Sequence, residues 1–140
     1  MIKFLDKIYR KIFGHELPPK RKKPAVYFNH VSILNKTPSN DAVGDKDFIV
    51  VVHQNKPYWA LFRCPCGCRH VISLSLQKIH NPSWNVHKNL SGRPTVHPSV
   101  WQIKDCHSHF WIRDGRIYWV QKNTYTGNDD VNNRHISTHV

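Results

Sequence analysis

From residue 25 onward, apolar and polar positions alternate in short runs divided by turn residues, which is the pattern of β-strands rather than helices. The β-branched run Phe48-Ile49-Val50-Val51-Val52-His53 predicts a strand, and Tyr58 to Arg63 predicts a second across the Gln54-Asn55-Lys56-Pro57 turn. Val71, Ser73 and Ser75 alternate with Ile72, Leu74 and Leu76, the period of a strand with one apolar face. Val26 to Leu34 and Trp84 to Lys88 are further strand candidates. Asn35 to Lys46 reads as a loop, and Thr95 to Ile103 as an irregular extended stretch interrupted by Pro98. The sharpest local signal is Asp114-Gly115, which tolerates positive φ and sits between Phe110-Trp111-Ile112-Arg113 and Arg116-Ile117-Tyr118-Trp119, so a hairpin is expected over 109–120.

The first 24 residues follow a different period. Met1, Leu5, Ile8 and Ile12, with Phe4 beside them, recur at helical spacing while Lys3, Lys7, Arg10 and Lys11 cover the remaining surface. An amphipathic helix is expected, stopped at Gly14 and followed by the extended basic linker Pro18-Pro19-Lys20-Arg21-Lys22-Lys23-Pro24. Its apolar stripe suits packing on the domain, a membrane surface or a partner. Residues 123–140 are polar and read as a tail.

Charge sharpens this division. The 140 residues carry 21 Lys and Arg against 9 acidic side chains, a formal net +12 with 11 histidines still neutral. Residues 1–24 hold half of that excess, so the arm is a candidate for an anionic surface or nucleic acid. A chain of this length suits one domain, and 39% hydrophobic residues suffice for a modest core. No apolar run approaches the ~20 residues of a bilayer-spanning helix, and the charged N-terminus lacks the apolar stretch of a secretory signal. A cytoplasmic location with reduced thiols is the expectation.

Those thiols carry the candidate chemistry. Cys64, Cys66 and Cys68 lie on one knuckle shaped by Pro65 and Gly67, and Cys106 with His109 follows at the entry to the hairpin. Two ligands from a tight turn and two from a distant element are how small Zn²⁺ sites staple a β-core. The pattern therefore predicts a mainly β fold: a small antiparallel zinc-ribbon-like domain over 25–122, behind the N-terminal amphipathic helix. Five candidates compete for four positions, or six with His107. Four protein ligands make a closed structural site, whereas three plus water permit hydrolysis. Thiolates favour the structural role, since three of them with a neutral imidazole leave the ion at formal −1. For hydrolysis a base must come from Asp105, Asp114, His107, His97 or an unusual thiol, because the only glutamate is Glu16 in the arm, and Ser99 or Ser108 is available to an oxyanion. The other histidines show no ligand spacing, and the five tryptophans suit core filling or a protein-binding groove better than base stacking.

The segments Trp59 to Cys68, Ser73 to Leu76, Pro82-Ser83-Trp84, Arg93 to Trp101 and Cys106 to Ile117 resemble, in order and over roughly residues 45–120, a family of small bacterial zinc-binding proteins. Genes of that family stand beside genes for ubiquitin-like proteins and for activating and conjugating enzymes. The resemblance implies a zinc-dependent peptidase that trims or removes a bacterial ubiquitin-like modifier, so that the modifier and its conjugates are the implied partners. It implies Cys64, Cys66, Cys68, Cys106 and His109 as metal residues. Ser108 and Ser99 are implied to flank them, and with Asp105 they form the candidate catalytic set. The expected mode of engagement is an extended modifier tail gripped by strand addition near Trp84 and Trp101. A different class of function stands beside it: a non-catalytic zinc-stapled module that binds an acidic protein or nucleic acid through its charge and tryptophans.

Overall fold

The computed structural model describes residues 7, 10–12, 14 and 21–121. Eight strands form two four-stranded sheets. The first has the order β1-β2-β3-β4, from β1 (Ser32–Leu34), β2 (Ile49–His53), β3 (Lys56–Arg63) and β4 (Val71–Ser75). The second has the order β5-β6-β7-β8, from β5 (Asn85–Lys88), β6 (Pro94–Trp101), β7 (His109–Arg113) and β8 (Arg116–Trp119). All neighbours are antiparallel except β1 and β2, which run parallel with Ser32 opposite Ile49. The chain is thus mainly β, as expected, but the cysteine knuckle belongs to a two-sheet structure larger than a ribbon. Of the predicted helix, Lys7, Arg10, Lys11 and Ile12 are helical and the Gly14 N–H donates to Arg10 O. The rest of that helix, Pro18-Pro19-Lys20 of the linker and the tail from residue 122 lie outside the described residues.

One core joins the sheets. Phe48, Val50, Ala60, Phe62, Ile72 and Leu74 from the first meet Val96, Val100, Phe110, Ile112 and Ile117 from the second. Phe62 is central. It stacks on Phe48 at 5.2 Å between centroids, and meets Phe28 and Phe110 edge-on at 5.5 and 6.4 Å. Rings in these geometries gain ~0.5–1.5 kcal/mol per pair beyond the area they bury. A second cluster, Val43, Ile49, Val51 and Leu61 with Trp59 and Val71 against it, covers the other face of the first sheet. Burial on both faces explains why β2 reads as an unbroken apolar run.

The hairpin turns where Asp114-Gly115 predicts it, with both residues at positive φ. Gly115 has a further reason to be glycine. The segment 24–28 crosses it, both Tyr27 and Phe28 N–H groups donate to Gly115 O, and a Cβ there would lie 2.1 Å from Phe28 O.

Candidate functional site

Two groups of chemistry-bearing side chains emerge close together in sequence and separate in role. The first is sulfur. The β3–β4 connection carries Cys64, Cys66 and Cys68, with Gly67 at positive φ and the Gly67 N–H donating to Cys64 O. The β6–β7 connection carries Cys106. Cys64 Sγ stands 3.4 Å from Cys66 Sγ and 3.7 Å from Cys106 Sγ, and all four sulfurs lie within 4.8 Å of one another. Four thiolates at ~2.3 Å from a tetrahedral ion stand ~3.8 Å apart, so the cluster fits such an ion. All four thiols are free, with no disulfide among them.

The surroundings divide the thiols. Burial pushes the Cys64 thiol well up, against the hydrogen bonds it receives from Cys66 backbone and the Ser108 hydroxyl. At Cys66 the same burial effect is outweighed by the Cys68 backbone N–H, the Ser108 hydroxyl and the neighbouring thiols, which together lower it to about 6. Cys68 is raised, again chiefly by desolvation. A pocket with one thiolate already favoured, and a buried thiol that needs a cation to ionise, suits a divalent metal.

His109 is not in that group. Its Nε2 lies 2.9 Å from Ser99 Oγ, and its ring stacks on Trp101 at 5.4 Å and 19°. Of the five residues expected to hold metal, the structure brings together the four cysteines and sets His109 beside Ser99. The cause is the strand: His109 opens β7 opposite Trp101 of β6, whereas Cys106 precedes it in the connection. The serines part in the same way. The Ser108 hydroxyl stands beside Cys64 and Cys66 and favours the ionised form of each, while Ser99 faces the imidazole. Asp105, at positive φ, pairs with His70 at 3.3 Å and has no bond to His109 among the described residues. His107 and His109 share a pocket of about 190 Å³ with Trp101, Val120 and Gln121.

The pairing depends on a bulge. Val96 is opposite Ile112 and Val100 opposite Phe110, so His97, Pro98 and Ser99 all face Trp111. Extra residues on one strand bend it and re-aim a side chain, and here Ser99 comes within reach of the β7 histidine. The Trp84 indole N–H donates to Ser99 O at 3.2 Å and braces the bulge from β5.

A second Ser–His pair was not anticipated from the sequence. Ser75 Oγ is 2.6 Å from His80 Nδ1, and the same oxygen accepts the Gln77 N–H at 3.3 Å. Ser75 is only 6% exposed, so its hydroxyl is sealed from a large substrate, whereas Ser99 is half-buried on a sheet face.

Compared with known families, residues 34–120 match the one described as "Bacterial ubiquitination-like system serine protease (BubE)". No curated protein matches the chain, and no solved structure does.

Proposed function

Because this chain belongs to the BubE family of bacterial ubiquitination-like system serine proteases, we propose that it is a serine peptidase in which Ser99 attacks and His109 moves the proton. The substrate class is a bacterial ubiquitin-like protein joined through its C-terminal carbonyl to another group. Carrying this reading is one distance, the 2.9 Å from Ser99 Oγ to His109 Nε2, within the reach a base needs to activate a hydroxyl.

The chemistry is acyl transfer. His109 Nε2 accepts the hydroxyl proton as Oγ bonds to the carbonyl carbon, and the imidazolium then gives that proton to the departing group, leaving an ester on Ser99. Water, deprotonated in turn by His109, cleaves the ester and restores the serine. Trp101, stacked on the imidazole, limits how the ring rotates.

Cys64, Cys66, Cys68 and Cys106 would hold Zn²⁺, and what the ion supplies there is charge for four thiolates and a tie between the two connections. The serine route thus replaces the zinc-activated water implied by the sequence resemblance, and zinc keeps a structural role.

A fusion of a bacterial ubiquitin-like protein to a reporter domain tests this. Cleavage should be lost in Ser99→Ala and in His109→Ala while both stay folded, and a fluorophosphonate should label Ser99. Cleavage that survives Ser99→Ala, or that a chelator stops in a chain that remains folded, overturns the proposal.

A further inference from the structure

A cleft of about 210 Å³ opens between the two sheets, and one edge strand of each, β1 and β5, contributes to its wall. Val31, Ile33, Leu76, Trp84 and Val86 make it apolar, and Lys88 is the charged group among the described lining residues. Along this cleft β5 is bonded on one side only. It pairs with β6, and no other backbone hydrogen bond among the described residues reaches Asn85–Lys88. An unpaired edge beside an apolar wall can accept an added strand.

One residue links the cleft to the Ser–His pair. Trp84 lines it and at the same time donates to Ser99 O. Because Asn85 is opposite His97 and Lys88 opposite Pro94, the Trp84 end of β5 lies toward Ser99 and Lys88 marks the far end.

We infer that this cleft seats the extended tail of the protein substrate on the acyl side of the scissile bond, as a strand antiparallel to β5, with an acidic side chain reaching Lys88. The inference rests on Ser99 being the nucleophile. Direction follows from polarity. β5 runs away from Ser99, so a tail whose C-terminal carbonyl ends at Ser99 runs against it, and antiparallel pairing is the slightly more stable kind. A tail on the leaving-group side would have to run parallel. At ~3.3 Å per residue, the position facing Lys88 falls about four to six residues before the bond cut. Apolar side chains at alternate tail positions would meet Val31, Ile33 and Val86.

The test uses the full chain, the reporter fusion and a small fluorophosphonate. Ile33 is 53% exposed, so Ile33→Arg fills the cleft without disturbing a core. It should raise KM for the fusion about tenfold or more, while Ser99 labelling, which needs no tail, keeps its rate. Lys88→Glu should lower kcat/KM several-fold, and a Lys placed four to six residues before the bond should restore it. Fusion cleavage unchanged in both variants overturns the inference, as does restoration only by charge changes on the reporter side. Absence of Ser99 labelling in the unaltered chain is a separate result that overturns the underlying assignment.

Discussion

The two sheets contribute their inner faces to one core and differ in the use of the other face. In the first sheet that outer face is covered by Val43, Ile49, Val51 and Leu61, and its β3–β4 connection supplies three of the four clustered cysteines. The second sheet leaves its outer face open, where His97, Trp101, His109, Trp111, Arg113 and Tyr118 stand half-buried or exposed beside Ser99. One sheet is packed twice and the other once. Stability is concentrated where both faces are buried, and the groups that can act on a large partner sit where one face is free.

Removing metal should break this arrangement most completely. A structural Zn²⁺ site contributes about 10–16 kcal/mol, comparable to or larger than the whole stability of ordinary domains at ~5–15 kcal/mol. Chelator or Cys64→Ser should therefore unfold the chain, followed by circular dichroism, with fluorophosphonate labelling lost in step with the fold. Labelling that vanishes before the fold does would place the ion in the chemistry.

Phe62→Ala comes next. Phe62 is fully buried at the meeting point of Phe28, Phe48 and Phe110, and truncation there should cost ~3–5 kcal/mol. Denaturant melts should show the loss while turnover per folded molecule is kept. Gly115→Ala is smaller: the left-handed conformation alone costs about 1–3 kcal/mol, and the new Cβ must push Phe28 O away. It should lower the melting temperature and speed proteolysis of segment 24–28, which loses its hold on the hairpin.

Much of the first sheet was legible in the sequence because burial on both faces writes itself as runs such as Ile49-Val50-Val51, and the knuckle because three cysteines at alternate positions have no packing purpose. The Asp114-Gly115 turn was legible for the same local reason. The parallel pairing of β1 with β2 was not, since periodicity carries no strand direction, and only Ser32–Leu34 of the expected strand from Val26 is regular. Nor was the partnership of Ser99 with His109. A C-x-x-H spacing suits a metal, and only the three-residue bulge opposite Trp111 brings the serine to the imidazole. The available signal was Pro98-Ser99 interrupting an otherwise regular strand.

Each sheet carries a Ser–His pair, and the contrast between them sharpens the comparison most, though the expected effect is the smallest. Ser75 and His80 are closer than Ser99 and His109, at 2.6 against 2.9 Å, so distance alone would favour Ser75. Ser75 Oγ, however, is buried and also accepts the Gln77 N–H, which fixes the chain as it leaves β4. Such a hydroxyl anchors a turn. Ser75→Ala should remove about 1 kcal/mol of stability, as for a typical net hydrogen bond, and leave cleavage of the reporter fusion within about twofold. A loss of turnover beyond a hundredfold in a folded Ser75→Ala chain would move the chemistry to the first sheet and undo the division between the two.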